Sequence, residues 1–374
     1  MHIIIRNEKV VKSTNLHFHL RNLIIIFLLA IPILSFCQYE PGFLPEFFFD
    51  RQPSARAEAM GKAYASMDGD LTSVYYNPAG IATIKGLAIN SSYTPPDYYL
   101  IKGYYTFNAV GFEISKKIQV ALSRYQFNMG KTFVINANKT PYTENNTLTI
   151  SSEPVKNLFI GINGNYFVWQ PGQDKLSTSV YLDFGVIKKI KLSSGKNYQH
   201  TINIGSSISN VNYGETKVTV SGITTEYKLP VITRYGVNYL LSFSKPYIID
   251  SLKTLTILVE SEYQMLLNSV YRSAIKVGGE VILFELLSFR VGYYKEKVYD
   301  FGFPDHNKRE IKSITYGLGI QIPLYRLTKM PFNINFDYTS LPQPTYSNDR
   351  SNWDDFKTYT LRLKIFLKNK NYHL

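Results

Sequence analysis

The chain has few charged residues, a single cysteine and, after its first 37 residues, no long apolar run. Charged residues make up 18% of its 374 residues, whereas soluble α/β enzymes usually carry about a quarter. Beyond residue 37 no apolar run approaches the roughly 18 residues that indicate a membrane-spanning helix. What the chain does contain is 30 Tyr and 23 Phe, a composition typical of an all-β protein with an apolar outer surface and aromatic belts.

Residues 1–37 have the pattern of an export signal peptide. A basic segment precedes the apolar run Leu23–Phe36, and Ser35 and Cys37 occupy the −3 and −1 positions of a signal-peptidase site. A lipoprotein anchor on Cys37 is the alternative, although Phe36 is a poor residue before a lipidated cysteine. Cleavage after Cys37 would leave no cysteine, and so no disulfide framework, thiolate metal site or cysteine nucleophile.

The net charge of +13 raises the question of a nucleic-acid partner. Removing the four basic residues and one acid of the leader leaves +10. The basic residues form no contiguous patch interleaved with exposed aromatic residues, so we do not expect nucleic acid as a partner. Groups such as Lys116-Lys117 fall at predicted strand ends, where they suit anionic lipid headgroups or a periplasmic partner surface.

From Lys85 onward, apolar residues alternate with polar ones at the period of a β-strand. Many runs reach ten residues, the length that a tilted strand needs to cross a bilayer. A secreted soluble sandwich would show the same alternation, but with strands nearer five or six residues. The sequence therefore predicts an all-β fold, a transmembrane antiparallel β-barrel of about 14 strands, with the sandwich as the alternative.

We expect the strands near 85–94, 104–115, 117–128, 132–150, 156–169, 177–190, 199–210, 231–243, 254–264, 271–282, 286–297, 311–322, 332–340 and 357–368. The connections alternate in length along the chain. The tighter set is 116–117, 191–198, 244–253, 283–285 and 323–331, and the longer set is 94–104, 211–230, 297–310 and 340–356. Short periplasmic turns and longer external loops are typical of outer-membrane barrels, and an even strand count places both termini on the periplasmic side.

The stretch Pro53–Gly80 is the Ala-rich, helix-friendly part of the chain after the leader. Ser54 is placed to cap a short helix over Ala55–Ala65, since its hydroxyl can accept a free backbone N–H. We expect residues 38–83 to form a partly helical plug in the lumen of a barrel built from residues 84–374.

Two turns follow the predicted helix. Asp68-Gly69-Asp70 predicts a turn, because the remainder of a Ca²⁺ loop is missing. In Asn77-Pro78-Ala79-Gly80, the proline keeps Asn77 out of the α region and Gly80 permits a positive φ. This second turn ends the plug, and a gating role is a further hypothesis because strained turns cluster at switches.

The same stretch resembles the N-terminal signature of FadL-type outer-membrane transporters and their PorV/PorQ relatives, and its opening is closer to the PorV/PorQ side. The shared parts are Ser54-Ala55-Arg56-Ala57, Met60-Gly61-Lys62-Ala63, Asp68-Gly69-Asp70 and Asn77-Pro78-Ala79-Gly80. The resemblance implies a fourteen-stranded barrel whose N-terminal hatch blocks the lumen. Outside this stretch the chain matches in architecture only.

The resemblance implies two functions. FadL-type members pass long-chain fatty acids or other hydrophobic compounds, which makes passage of hydrophobic small molecules across the cell outer membrane the leading prediction. PorV-type members are accessory proteins of the type IX secretion system, so binding of secreted cargo through the loops 211–230, 297–310 and 340–356 is the alternative. The expected partners are outer-membrane lipid and either a hydrophobic small molecule or a cargo protein, and we expect a monomer.

Ionisable residues on the polar strand faces are expected to point into the lumen, because a charge facing lipid at mid-membrane costs about 2–4 kcal/mol. They are Asp183, Glu260, Glu262, Lys276, Glu280, Arg290, Asp337, Arg362 and Lys364. One interpretation is a salt-bridge network that fills and stiffens the lumen. The other is a polar conduit or a carboxylate site, with Arg290 and Arg362 as anion partners.

No pattern indicates catalysis, and we expect no enzyme, metal or cofactor. The histidines after the leader are His200, His306 and His373, far apart and without metal-ligand spacing. His200 lies near several serines, but no motif singles out a nucleophile.

Overall fold

The fold was obtained as a computed structural model, which describes residues 48–49, 51, 54–95, 103–128, 130, 139–170, 176–195, 197–220, 223–244, 253–267, 273–299, 308–328, 330–342 and 355–366. The predicted signal peptide with Cys37 and its cleavage site lies outside these residues, as do His306 and His373. The division into signal peptide 1–37, plug 38–83 and barrel 84–374 stays a prediction.

Fourteen antiparallel strands close into a barrel, which confirms the predicted fold class. The barrel strands are β1 (Leu87–Thr94), β2 (Tyr104–Ser115), β3 (Ile118–Asn128), β4 (Tyr142–Val155), β5 (Leu158–Gln170), β6 (Ser177–Ser194), β7 (Tyr198–Ser209), β10 (Ile232–Phe243), β11 (Leu255–Leu266), β12 (Ser273–Leu283), β13 (Leu287–Tyr299), β14 (Lys308–Ile322), β15 (Phe332–Leu341) and β16 (Phe356–Ile365). Strands β8 (Glu215–Val220) and β9 (Ile223–Lys228) form a separate hairpin. Each barrel strand pairs with its neighbour in the chain, except that β7 pairs with β10 and β1 closes the barrel on β16.

The two rims of the barrel differ. At the short-turn rim, tight turns join β2 to β3, β4 to β5, β6 to β7 and β12 to β13. The chain enters β1 and leaves β16 at this rim, and the short helix α3 (Leu324–Thr328) lies there between β14 and β15. The opposite, long-loop rim carries the longer connections, including the segment between β7 and β10 that holds the β8–β9 hairpin. The rims therefore show the alternation expected from the sequence.

The outer surface is an apolar belt. Outward-facing residues such as Leu122, Ile150, Phe289, Ile320 and Leu361 are exposed, while the residues between them face the interior. Exposed apolar side chains around the whole wall are the surface of a transmembrane barrel, and they exclude the soluble-sandwich alternative. Within the described residues, no helix has both the length and the hydropathy of a membrane span.

The segment ahead of β1 contains α1 (Ala55–Ala59), α2 (Ser73–Tyr76) and a 3-10 helix (Pro78–Thr83). The helix predicted over Ala55–Ala65 is therefore too long. It ends at Ala59 because Gly61 and Lys62 adopt positive φ values of 65° and 63°, which an α-helix cannot contain. We call residues 54–85 the plug.

Three local predictions differ from the structure. Ser54 makes no side-chain cap, and its hydroxyl lies 3.1 Å from Thr72 Oγ1 instead. Gly80 has no positive φ, and lies in the 3-10 helix where any side chain would collide with Ser73. Strand β4 begins at Tyr142, ten residues later than the predicted 132–150.

Candidate functional site

The plug lies in the lumen, because side chains on opposite walls of the barrel bind its backbone. Glu262 Oε2 on β11 accepts the backbone N–H groups of Tyr64 and Ala65 at 2.8 and 2.9 Å. On the other side, Asn163 Nδ2 on β5 donates to Val74 O at 2.8 Å. Polar strand residues thus supply the partners that an irregular buried backbone requires.

Paired glycines on the inner wall let the plug backbone approach closely. Gly161 faces Gly185 across β5 and β6, and Gly278 faces Gly292 across β12 and β13. A Cβ atom on either glycine of the first pair would collide with the segment Asn77–Ala79, and a Cβ on either of the second would collide with Met60 or Gly61. The barrel wall is therefore shaped to the plug at these two places.

Asn77 holds the predicted turn in place. Its Nδ2 atom donates to the backbone carbonyls of Ala65, Val186 and Ser206 at 2.7, 3.2 and 3.3 Å. Its Oδ1 atom accepts the N–H of Ala79 at 3.1 Å, which caps the 3-10 helix that begins at Pro78. One buried amide therefore ties the turn both to the earlier part of the plug and to strands β6 and β7.

Six charged side chains form a closed ring between the plug and one wall, which we call the ion-pair ring. In order around the ring they are Arg56, Glu280, Arg290, Asp337, Arg362 and Asp70. Arg56 and Asp70 belong to the plug, and the other four lie on the inner faces of β12, β13, β15 and β16. The ring alternates in sign and has no net charge.

The contacts of the ring are short. Arg56 Nη2 lies 2.6 Å from Glu280 Oε2, and Arg290 Nε lies 2.6 Å from Glu280 Oε1. Arg362 contacts Asp337 at 2.6 Å and Asp70 at 2.7 Å. The remaining contacts are Arg290 with Asp337 at 2.8 Å, an ion pair without hydrogen-bond geometry, and Arg56 with Asp70 at 3.3 Å.

The ring has two consequences. Both Arg290 and Arg362 face carboxylates of the protein itself, an arrangement that favours the salt-bridge interpretation of the lumen over an anion site at these two residues. Burial alone would raise the pKa of the Asp70 carboxyl in the plug, but Arg362 and Arg56 hold that pKa well below its usual range. Asp70 therefore stays charged, and the ring fastens the plug to the wall.

Of the other predicted inward-facing residues, Glu260, Glu262 and Lys276 contact the plug or one another, whereas Asp183 and Lys364 contact other residues of the barrel chain. Lys276 Nζ lies 3.1 Å from Glu262, and Glu260 Oε1 accepts the N–H and hydroxyl of Ser66. Asp183 accepts three N–H groups, from the side chains of Asn163 and Asn165 and the backbone of Asn210. All three clusters are buried inside the barrel.

The two aspartates of Asp68-Gly69-Asp70 point to different partners. Asp68 contacts Lys189 at 2.6 Å and accepts the Thr83 hydroxyl at 3.0 Å, while Asp70 belongs to the ion-pair ring. In the part of the chain that the structure describes, no three His, Cys, Asp or Glu residues are grouped to hold a metal ion. The triplet is a turn, with Gly69 at a φ of 81°.

Aromatic residues of the inner barrel wall and of the segment before the plug fill the lumen between the plug and the long-loop rim. This aromatic layer comprises Phe48, Phe49, Tyr105, Phe107, Tyr125, Phe127, Phe167, Trp169, Tyr181 and Phe356. The rings stack, for example Phe48 on Tyr125 at 4.3 Å and Tyr105 on Phe127 at 4.2 Å between centroids. Only polar strand faces were expected in the lumen, so this layer was not predicted, although Tyr105 and Phe107 share a strand face opposite Thr106 and Asn108.

Arg234 lies where the aromatic layer meets the plug. Its side chain is 2% exposed and lines a cavity of about 20 Å³ together with Phe49, Tyr75 and Asp183. Its Nη1 atom donates to Ser209 Oγ at 3.3 Å, and its guanidinium lies 5.2 Å from the centre of the Tyr75 ring. Among the described residues no carboxylate lies within 4.0 Å of Arg234, and its Nε has no hydrogen-bond partner.

A buried guanidinium without a carboxylate is costly, since the desolvation of a charge is offset only by pairing and hydrogen bonds. Arg234 was not among the residues singled out from the sequence. The two-residue alternation could have predicted it, because Arg234 lies on the same strand face as Gly236 and Asn238, the inner face of β10. The same alternation predicted that the other charged residues face the lumen.

Comparison with known proteins gives structural neighbours only. No protein-family description matches the chain, and no curated protein matches it. The toluene transporter TbuX of Ralstonia pickettii is similar at 10% identity and a TM-score of 0.43, over 84% of this chain and 98% of that one. A FadL homologue of Pseudomonas aeruginosa is similar at 11% identity and a TM-score of 0.40, over 84% and 98%. The Pseudomonas putida toluene transporter TodX is similar at 8% identity and a TM-score of 0.39, over 82% and 96%.

Proposed function

We propose that the protein passes hydrophobic small molecules, of the fatty-acid kind, across the outer membrane. The observation that carries the proposal is the aromatic layer, which fills the lumen on the long-loop side of the plug and ends at Arg234. Water-filled barrels have a polar interior, so an aromatic inner wall favours an apolar ligand. The guanidinium of Arg234 at the end of that wall, which has no described carboxylate within 4.0 Å, suits a carboxylate head group.

The route through the barrel depends on the plug. The ion-pair ring and the glycine pairs fasten the plug across the lumen, so a ligand held at the aromatic layer passes only after the plug rearranges. Asn77 links the turn of the plug to strands β6 and β7, and this contact supports the hypothesis of a gate at Asn77-Pro78-Ala79. The apolar belt supports a location in the outer membrane, where we expect a monomer bound to lipid.

The test is uptake of radiolabelled oleate by cells that lack their own long-chain fatty-acid transporter. We expect uptake above that of barrel-free cells, altered uptake after deletion of residues 54–80, and reduced uptake for Arg234→Gln. Arg124→Gln is the matched control, because Arg124 is an exposed arginine of the outer surface that pairs with Glu144. Uptake equal to that of barrel-free cells, both before and after the deletion, would refute the proposal.

The alternative prediction was an accessory protein of type IX secretion that binds exported cargo. The loops 297–310 and 340–356 that it would use lie largely outside the described residues, and no contact in the described part favours it. Mass spectrometry of the medium from a deletion strain would test it, since unchanged secretion of cargo with the C-terminal signal would count against it. The resemblance to the PorV/PorQ branch likewise stays a prediction.

A further inference from the structure

We propose that the lumen between the plug and the short-turn rim is a second binding site, for small organic anions. This mouth chamber has a volume of about 710 Å³. Its floor is the plug at Gly69–Leu71, and its walls are inward-facing residues of β1, β10–β12 and β14–β16 together with α3. Ligand pockets of proteins commonly measure about 300–1,000 Å³, so the chamber has the size of a ligand site.

The chamber carries more positive than negative charge. Four cationic side chains line it, Lys253, Arg326, Arg362 and Lys364, against the two carboxylates of Asp70 and Glu285. Both carboxylates are already paired, Asp70 with Arg362 and Arg56, and Glu285 with Arg326 at 2.8 Å.

Lys253 and Lys364 are the two cationic side chains of the chamber for which the described residues provide no ion pair. Neither has a carboxylate within 4.0 Å among the described residues, and both side chains are partly buried. The Lys364 ammonium lies instead 5.4 Å from the centre of the Phe366 ring. Two ammonium groups that line one chamber, neither held in an ion pair by a described carboxylate, form a site for an anionic group.

The walls determine the remainder of the ligand. Leu240 and Ile282 contribute aliphatic surface, and the rings of Tyr325 and Phe366 lie 4.6 Å apart on the opposite side. An apolar body can contact these side chains while its charged group meets the lysines. The chemistry of the site therefore points to a carboxylate or phosphate carried on an aromatic or short aliphatic body.

This inference does not rest on the proposed passage of hydrophobic molecules. The mouth chamber and the aromatic layer lie on opposite sides of the plug, and the two sets of residues do not overlap. A ligand of the mouth chamber reaches it from the short-turn rim without moving the plug. The two sites can therefore be tested separately.

The experiment is calorimetric titration of the full-length protein in dodecyl maltoside, a non-ionic detergent. The probes are 4-phenylbutyrate and phenyl phosphate, compared with the neutral 4-phenylbutan-1-ol and with inorganic phosphate. We expect both organic anions to bind about tenfold more tightly than the alcohol or inorganic phosphate, and added salt to weaken them. Preference for one organic anion over the other identifies which acid group the site takes, and either preference supports the proposal.

The variants Lys253→Ala and Lys364→Ala should each weaken binding by roughly fivefold or more. Lys357→Ala is the matched control, because Lys357 lies on the same strand as Lys364 but is exposed on the outer surface near the long-loop rim. Arg234→Gln should leave binding unchanged. Heat-modifiable mobility in electrophoresis and an unchanged thermal transition show that each variant remains a folded barrel.

Three results would overturn the proposal. The first is an alcohol that binds as tightly as the acids, and the second is inorganic phosphate that binds as tightly as phenyl phosphate. The third is a pair of variants at Lys253 and Lys364 that bind like Lys357→Ala. If binding is lost only in Arg234→Gln, the probes occupy the aromatic layer, and the mouth chamber is again not the site.

Discussion

Arg56 in the first helix of the plug contacts Glu280 on β12 through two nitrogens, with Nη2 to Oε2 at 2.6 Å and Nε to Oε1 at 3.2 Å. This bidentate pair is one of the two direct contacts between the plug and the wall residues of the ion-pair ring, and the other joins Asp70 to Arg362. Because Glu280 is fully buried and the Arg56 side chain is only 15% exposed, removal of Arg56 leaves a buried carboxylate with one counterion fewer.

Arg56→Met should lower the free energy of unfolding by about 3 kcal/mol. This is at the low end for a broken buried ion pair, because Glu280 would still pair with Arg290 and Asp70 would still pair with Arg362. Thermal unfolding in detergent, followed by circular dichroism, measures the effect. Lys217→Met is the control, since Lys217 pairs with Glu226 on the exposed hairpin and should leave the transition unchanged. Equal transitions for the two variants would show that the ring does not hold the plug.

Gly185→Ala should displace the plug, because the new Cβ would collide with the side chain of Asn77. We expect a cost of about 1–3 kcal/mol from overpacking and a higher ion conductance in planar bilayers. Gly164→Ala is the control on the neighbouring strand, since no atom lies within 4 Å of its added Cβ. A conductance of Gly185→Ala that matches Gly164→Ala would contradict the close contact between wall and plug.

Asn77→Asp should destabilise the plug more than Asn77→Ala does. The substitution replaces the amide nitrogen that donates to three carbonyls by a carboxylate oxygen, which can only accept. The negative carboxylate oxygen would then face three carbonyl oxygens that also carry partial negative charge. We expect a loss of about 3 kcal/mol for the aspartate variant. Limited trypsin digestion, which cleaves after Arg56 or Lys62 once the plug is exposed, provides the readout, and equal digestion of the two variants would count against the donor role.

Deletion of residues 215–228 should leave the barrel intact and uncover the aromatic layer. The β8–β9 hairpin pairs with no barrel strand, and Leu229 N donates to Gly214 O at 2.9 Å, so the cut ends already meet. The Tyr227 ring packs 5.7 Å from Trp169. In a Trp353→Phe background, fluorescence of Trp169 should become more accessible to acrylamide, and unchanged quenching would show that the hairpin does not cover this layer.

The strands could be predicted from sequence because a half-buried strand repeats every two residues. Leu318 and Ile320 on β14 are exposed, while Gly317 and Gly319, which alternate with them, face the lumen, as the pattern indicates. The β8–β9 hairpin was missed within the predicted loop 211–230. Its signal was two β-rich runs separated by Ser221-Gly222, a two-residue turn sequence that hairpins favour.

The partners within the lumen could not be predicted in the same way. Alternation shows that Glu280 and Arg362 face inward, but their contacts with Arg56 and Asp70 depend on how the plug docks. The early end of α1 also depends on how the plug docks, because the backbone turns at Gly61 to fit against Gly278 and Gly292. Such long-range packing overrides the helix propensity of an Ala-rich segment.

The seam between β1 and β16 joins strands from the two ends of the barrel sequence, whereas every other pair lies close in the chain. The plug contacts both sides of this seam: Asn90 on β1 donates to Thr72 Oγ1 at 3.1 Å, and Ala55 N donates to Thr360 Oγ1 on β16 at 3.0 Å. Closure of this seam carries the largest loop-entropy cost of the fold. The plug thus bridges the two strands at the one place where the ends of the barrel sequence must be held together.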